Sequence, residues 1–369
     1  MTEKRNGKPS FIEELEEYTR QGEPDKKEKS GIWRAAIGLQ RIDGLEPSVY
    51  LIETAKQNID GEITFDEVKK RLDSYYKAKP KLRDDDRTEE ADKVSARIAE
   101  ILSEKTFTFS RTAYLATHKR LFAGIYSFAG EIRDYNITKI EWVLDGETVL
   151  YADADSILES LDHDFGKEVA FNYKGLTKKQ ISEHIAKFVS SLWQIHPFGE
   201  GNTRTTAVFT IKYLRKLGFT VTNDQFEEHS WYFRNALVRA NYSDFTKGIY
   251  PTFDFLNMFF GNLILGEKNI LRNRDMHISE ENKAQNKAQI KHKVQETAPT
   301  PIEMAIIECL ENNPNVTQVE IAYSIKRSRR SVQDAMSSLK KKGVIEREGS
   351  KKTGKWIVVT KSDDLRHFF

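Results

Sequence analysis

Nine consecutive residues, His196-Pro197-Phe198-Gly199-Glu200-Gly201-Asn202-Thr203-Arg204, bring together a base, a carboxylate, a glycine-bearing turn and a cation. Imidazole titrates near neutral pH and accepts a hydroxyl proton, which makes His196 a candidate general base. Gly199, Gly201 and Asn202 supply a turn whose N–H groups can face phosphate oxygens, because backbone lacking a Cβ approaches a ligand most closely. Arg204 offers a two-pronged guanidinium to a phosphate. Glu200 is either a cation ligand or an acid in the first turn of a helix, where it stabilises by roughly 0.3–1 kcal/mol. Phe198, flanked by polar neighbours, reads as the anchor of the loop, and Pro197 stiffens it.

Two helices must hold this loop. Upstream, Ile181, Ile185, Phe188, Val189, Leu192 and Trp193 recur at helical spacing behind a Thr177/Gln180 capping box. Downstream, Ala207, Val208, Ile211 and Leu214 repeat the pattern until Gly218. Gly201-Asn202-Thr203 therefore opens a helix, where unpaired N–H groups and the dipole favour an anion. The local reading is a phosphate site with a histidine and a carboxylate at its rim.

The run resembles the signature of the Fic (filamentation induced by cyclic AMP) family, His-x-Phe-x-Asp/Glu-Gly-Asn-Gly-Arg-x-x-Arg. Six positions match: His196, Phe198, Glu200, Gly201, Asn202 and Arg204. Phe128-Ala129-Gly130-Glu131-Ile132-Arg133 is also Fic-like. The resemblance implies a protein adenylyltransferase. In it His196 deprotonates a target hydroxyl that attacks the α-phosphate of ATP, Arg204 holds the β-phosphate, and Glu200 holds Mg2+. One protein carboxylate suits Mg2+, which takes phosphate oxygens and keeps several waters. The resemblance also implies a nucleobase wall at Phe233 and Asn241, which read equally well as a core aromatic and a helix-end amide. Two positions depart. Thr203 replaces a glycine, either narrowing the nucleotide pocket or lending it a hydroxyl, and Ala207 replaces the last arginine, which in the family meets the γ-phosphate. AMP transfer needs chiefly the α- and β-phosphate contacts, so activity with altered triphosphate selection is expected.

Many Fic proteins carry an inhibitory helix, Ser/Thr-x-x-x-Glu-Gly/Asn, whose glutamate pairs with that last arginine. The nearest match here is Leu39-Gln40-Arg41-Ile42-Asp43-Gly44, with leucine for the hydroxyl residue and a shorter acid. Asp43 is the candidate regulatory residue, while Gly44 by itself marks an ordinary helix end. Both halves of the lock are altered together. Residues 30–76 are therefore expected to be a docked antitoxin-like remnant whose inhibition is weak or rewired.

The whole chain, 369 residues with a formal charge of +2, can bury one sizeable core beside small modules and shows no overall field for nucleic acid or membrane. Its one cysteine, Cys309, excludes an intrachain disulfide and suits a reducing cytosol. The polar start and the lack of any apolar run near ~18 residues point to a cytoplasmic protein without a membrane partner. Residues 1–29 read as a flexible N-terminus with a short helix around Phe11 to Tyr18. Residues 30–76 form a helical unit, 89–265 a mainly helical core, and 266–299 a polar linker or solvated helix. Within the core, Lys139 to Leu144, Asp145-Gly146 and Glu147 to Tyr151 read as a β-hairpin. In the Fic fold such a flap registers the target segment by strand addition, with Lys139, Ile140, Glu141, Trp142 and Val149 as its contacts. Trp142 and Val149 otherwise pack on the helices.

Residues 300–369 resemble a winged helix-turn-helix and carry about +4. Thr317 and Glu320 cap its second helix, and Val332, Ala335, Met336 and Leu339 give the third an apolar face. Arg330 and Gln333 on that helix, with Lys351 and Lys352 on the wing, are candidate DNA contacts. The same charged face suits dimerisation or docking. The expected fold is mainly α, a Fic helical core with a β-hairpin flap plus a small winged-helix domain. Expected partners are ATP, a hydroxyl-bearing target protein (this chain included), DNA and a second copy in a homodimer. The competing reading is a DNA-binding regulator whose catalytically weak Fic domain senses nucleotide.

Overall fold

Hydroxyl side chains cap the starts of many helices, those after Ser48, Ser110, Thr177, Thr300, Thr317 and Ser328 among them. The computed structural model describes residues 24–78, 85–221, 224–279, 300–325, 327–342, 344–348 and 355–359. It forms two compact units, one up to Ser279 and one from Glu280. In the first, α1 (Pro24–Gly38) tightens into a 3-10 turn, Leu39–Asp43, closed by Gly44 at φ 65°. Helix α2 (Val49–Asp60) starts on Ser48, whose Oγ accepts from the Leu51 N–H at 3.1 Å. Helix α3 (Phe65–Ala78) starts on the reciprocal Thr64–Glu67 pair. After α4 (Asp85–Ser103) and α5 (Arg111–Phe122) comes a long irregular segment. Then follow α6 (Ile157–Ala170), α7 (Lys178–Ile195), α8 (Asn202–Lys216), α9 (Asp224–Ala240) and α10 (Asp254–Phe260). Among the described residues no helix is long and apolar enough to cross a membrane.

Helix α8 is the axis of this unit, buried at every residue from Asn202 to Leu214. Its polar side chains must be satisfied internally. Lys212, for one, donates to the carbonyls of Ile101 and Glu104. Trp33, Leu39, Ile42, Leu51 and Val68 share one core cluster with Phe198, Phe209 and Phe233. The segment 30–76 is thus built into the core of the first unit. It packs tightly against α9 at Gly38, where a Cβ would lie 2.5 Å from the Glu227 Cα. Beside it Arg34 meets Glu227 at 2.8 Å, both side chains almost without solvent contact.

Two expected boundaries and one expected element differ. Helix α1 begins at Pro24, so residues 24–29 belong to it. Residues 266–279 belong to the first unit, where Met276 and Ile278 are buried and the Ile278 N–H donates to the Val143 carbonyl at 2.9 Å. The hairpin at 139–151 does not form a ladder. Its tip is a 3-10 turn, Trp142–Leu144, ending in left-handed Asp145, and the Glu141 N–H donates to the Glu147 carbonyl at 3.0 Å. Val143 and Leu144 are both buried, although strand alternation would put neighbours on opposite faces. The helix expected around Phe11 to Tyr18 lies outside the described residues.

In the second unit, α11 (Pro301–Asn312), α12 (Gln318–Ser324) and α13 (Arg329–Lys341) precede β1 (Ile345–Glu348) and β2 (Lys355–Val358). The strands pair antiparallel, Ile345 opposite Val358. Ile306, Leu310, Ile321, Val332, Met336 and Leu339 make a separate core, as a small winged-helix domain requires. Lys351 and Lys352 lie outside the described residues.

Removing one member of a buried ion pair leaves an uncompensated charge, typically destabilising by about 3–5 kcal/mol. We expect Arg34→Ala to lower the urea midpoint accordingly, and Arg34→Ala with Glu227→Leu to recover part of the loss. An unchanged midpoint for the single variant would show that this pair does not hold α1 to α9.

Candidate active site

Helix α7 ends at Ile195, and His196 turns the chain in the left-handed region at φ 51°, ψ 58°. A non-glycine residue holds that conformation only when its surroundings over-determine it, and here they do. The Arg133 Nε donates to the His196 carbonyl at 2.8 Å, and the Arg133 N–H to the Pro197 carbonyl at 2.9 Å. Other guanidinium nitrogens of Arg133 donate to the Tyr135 and Ala152 carbonyls. Phe198 is fully buried and stacks on His118, ring centroids 3.7 Å apart. The His118 Nδ1 accepts from the Gly130 N–H at 2.9 Å, so its Nε2–H donates to the Glu200 carbonyl at 3.0 Å. The Asn202 amide closes the loop, Nδ2 donating to the Phe198 carbonyl at 2.7 Å and Oδ1 accepting from the Phe198 N–H at 3.0 Å. Gly201 sits at φ 78°, and a Cβ there would lie 2.4 Å from the Phe122 ring.

The His196 imidazole lies 4.2 Å from the Tyr151 ring, centroid to centroid. Its Nδ1 is 3.2 Å from the Trp193 carbonyl and therefore carries the proton, while among the described residues Nε2 has no hydrogen-bond partner. Burial pushes the imidazole well below its ordinary value, and the Lys139, Arg234 and Arg133 charges push the same way. This is a neutral histidine with a free lone pair.

A cleft of about 960 Å³ beside the loop is lined by Asp43, Glu90, Tyr126, Lys139, Trp142, Glu200, Arg204, Trp231 and Arg234, among others. Each of its main charges has an internal partner. Lys139 Nζ lies 3.0 Å from both carboxylate oxygens of Glu200. Burial alone would raise the Glu200 carboxyl, but Lys139, the Gly201 N–H and Arg204 outweigh it and hold the group below its ordinary value. Arg234 clasps Glu141 at 2.6 and 3.0 Å. Arg204 has no solvent exposure. It meets Asp43 at 2.6 Å, Glu90 at 2.6 Å, the Gln40 Oε1 at 3.0 Å and the Tyr126 hydroxyl at 3.2 Å, over the Phe122 face.

Asp43, Lys139, Glu200 and Arg204 line this cleft, the Gly201 N–H donates to Glu200, and His196 is buried near enough to Lys139 and Arg234 to feel their charges. Several assigned roles change. Asp43 has found a cation after all, Arg204 in place of the missing last arginine. Asn202 braces the loop with its side chain. Thr203 accepts from the Trp193 indole N–H at 2.9 Å, which commits its hydroxyl to the core. What remains for an anion is the start of α8, where the Thr205 N–H is the first to bond back, to Gly201. At Gly199 a Cβ would lie 2.7 Å from the Tyr135 hydroxyl. Phe233 is buried among Phe226, Phe259 and Phe260, and the Asn241 Nδ2 donates to Ser190 and Leu237. Neither lines the cleft beside the loop. On the flap, Glu141 and Val149 are buried, whereas Ile140 is 84% and Trp142 48% exposed. Arg330 and Gln333 are exposed on α13. Gln40, Glu90, Tyr126, His118 and Arg234 escaped the sequence reading, being single polar residues in helices or turns with no local pattern. Arg133 had a signal, the Fic-like run that it ends.

Residues 108–214 match the Fic/DOC family, and residues 300–346 match the winged helix-turn-helix DNA-binding family. The chain thus carries a Fic/DOC domain and a C-terminal winged helix-turn-helix domain. It is similar to the protein adenylyltransferase VbhT of Bartonella schoenbuchensis, 27% identical over 141 residues, which are 35% of this chain and 28% of that protein. It is also similar to a protein adenylyltransferase of Bartonella henselae, 32% identical over 112 residues, 27% of this chain and 20% of that one. The chain spans less than a third of either relative. Among solved structures, a Fic family protein from Desulfovibrio desulfuricans aligns over 95% of both chains at 14% identity and a TM-score of 0.44. BepC from Bartonella tribocorum, with bound AMPPNP, aligns over 50% of this chain and 88% of that one, at 20% identity and a TM-score of 0.39.

Burial lowers the His118 imidazole to about 4. The unfolded chain, at its ordinary value of about 6.5, takes up that proton first, so stability falls as pH drops through the window between the two. We expect His118 alone to cost about 2.5 kcal/mol between pH 7 and pH 4.5. Urea unfolding of the parent and His118→Gln across that range should show the acid loss reduced in the variant. Equal slopes would place His118 in solvent.

Proposed function

We propose that the first unit transfers AMP from ATP to a serine, threonine or tyrosine hydroxyl of a protein. The observation that carries this reading is the neutral, buried His196 whose Nε2 has no partner among the described residues, held at the end of α7 in the loop that leads through Glu200 to Arg204 in α8. The two relatives named protein adenylyltransferase support it. In the reaction the hydroxyl oxygen attacks the α-phosphorus, its proton passes to the His196 Nε2, and the bond to the bridging oxygen breaks to release pyrophosphate. Positioning and electrostatics carry most of such a phosphoryl transfer. The N–H groups opening α8 and the Arg204 guanidinium are the anion-binding elements. Glu200 already seats an ammonium, and one carboxylate with phosphate oxygens and water is a donor set that suits Mg2+. When bound there, the metal supplies charge neutralisation on the phosphates. Trp142 and Trp231 line the cleft and offer the aromatic faces that Phe233 does not.

Arg204 is in an inhibited arrangement. A β-phosphate reaches it by evicting Asp43 or Glu90, so the lock is rewired onto the first arginine of the signature. The winged helix is proposed to bind DNA through the exposed Arg330 and Gln333 face of α13.

We expect His196→Ala to abolish labelling of protein by α-32P ATP while nucleotide affinity stays near the parent's; labelling at the parent rate would remove His196 from the base role. Because His196 is held neutral, labelling should not decline as pH falls from about 8 to about 6.5, and an acid limb should appear only below that. Asp43→Ala should raise labelling by about ten-fold or more, the scale of one buried charge contact. No increase would mean that Asp43 does not restrain the enzyme. For the second unit, Arg330→Ala with Gln333→Ala should weaken duplex DNA binding and flatten its salt dependence, whereas unaltered binding would exclude α13 as the reading face.

A further inference from the structure

The flap residue Lys139 does not face a target segment. Its side chain enters the cleft and caps Glu200, with both carboxylate oxygens 3.0 Å from one ammonium. The backbone at this point is fixed, since the Lys139 N–H donates to the Thr148 Oγ1 at 3.2 Å. The carboxylate is oriented independently, its Oε1 accepting from the Gly201 N–H at 3.1 Å. Glu200 therefore keeps its place if the lysine side chain leaves.

We propose that Lys139 is a built-in substitute for the metal, a specificity-determining residue that occupies Glu200 until a divalent cation arriving with nucleotide displaces it. This rests on the reading of Glu200 as the metal ligand. A small divalent ion needs a carboxylate oxygen at about 2.0–2.1 Å, so it takes the lone pairs that the ammonium now holds, and two cations on one carboxylate repel. The exchange is shallow. Lys139 retains 23% and Glu200 44% of their side-chain exposure, and partly exposed pairs are weak. Displaced, the ammonium stays tethered at the cleft wall, where the phosphate charge brought by the nucleotide is its new partner. Lys139 thereby holds the empty site near neutrality and disfavours occupation by metal alone.

Terbium(III), a hard oxygen-seeking cation, tests this through luminescence sensitised by Trp142 and Trp231, which line the same cleft. The full chain is titrated with terbium alone, alongside Lys139→Met, Lys139→Arg and Glu200→Gln. The Glu200-dependent signal should saturate at about five-fold lower terbium in Lys139→Met, the most that a weak exposed pair supports. It should stay near the parent value in Lys139→Arg, which keeps the cation, and vanish in Glu200→Gln. If Glu200→Gln abolishes the signal but Lys139→Met titrates like the parent or more weakly, Lys139 does not compete with metal and the inference is overturned. A signal indifferent to Glu200→Gln, or absent throughout, removes Glu200 as a cation ligand and overturns the reading beneath it.

Discussion

The guanidinium of Arg204, sealed at the start of the central helix, sets the terms for everything packed around it. A buried cation without partners carries a penalty of several kcal/mol. Here the 3-10 turn after α1 delivers Asp43 and Gln40, α4 delivers Glu90, and the turn after α5 delivers Tyr126. The N-terminal segment is a structural part of the core because that charge demands it. The groups that stabilise Arg204 in the folded chain also occupy the faces of the guanidinium that an anion entering the cleft would need.

This logic extends around the cleft. Glu141, buried on the flap, is balanced by Arg234, and Glu200 by Lys139. On the proposed reading, loading the site is an exchange of partners, with carboxylates giving way to phosphate oxygens and an ammonium giving way to a metal. Exchange avoids stripping water from bare charges, which keeps the empty form stable. It also makes occupancy depend on the ligand bringing charges of both signs together.

What the sequence disclosed was local. Capping boxes at Thr64, Thr177 and Thr317 formed as spaced, and the nine-residue loop placed His196, Glu200 and Arg204 between two helices. The failures are non-local. Gln40 reaches Arg204 across 164 residues and Glu90 across 114, separations at which no periodicity carries information. The strand pattern at 139–144 yielded to a tertiary contact, the burial of Glu141 against Arg234, 93 residues away. Phe233 and Asn241 were plausible by type, yet α9 turns Phe233 into the core and Asn241, just past its end, donates to Ser190 and Leu237. Thr203, expected either to narrow the nucleotide pocket or to lend it a hydroxyl, accepts from the Trp193 indole and fixes the end of α7 to the start of α8.

The turn that carries Asp43 has a mechanical consequence. Gly44 and Leu45 donate back to the Arg41 and Gln40 carbonyls, Ile42 is buried in the core, and Arg87 holds the Asp43 carbonyl at 3.0 Å. The backbone that carries the acid is therefore fixed, while its side chain keeps 25% exposure. Rotation of the carboxylate about its own side-chain bonds is the motion that frees this face of Arg204, with the turn left in place. The turn is a fixed post and the carboxylate a latch mounted on it, one that closes again on the timescale of a rotamer change.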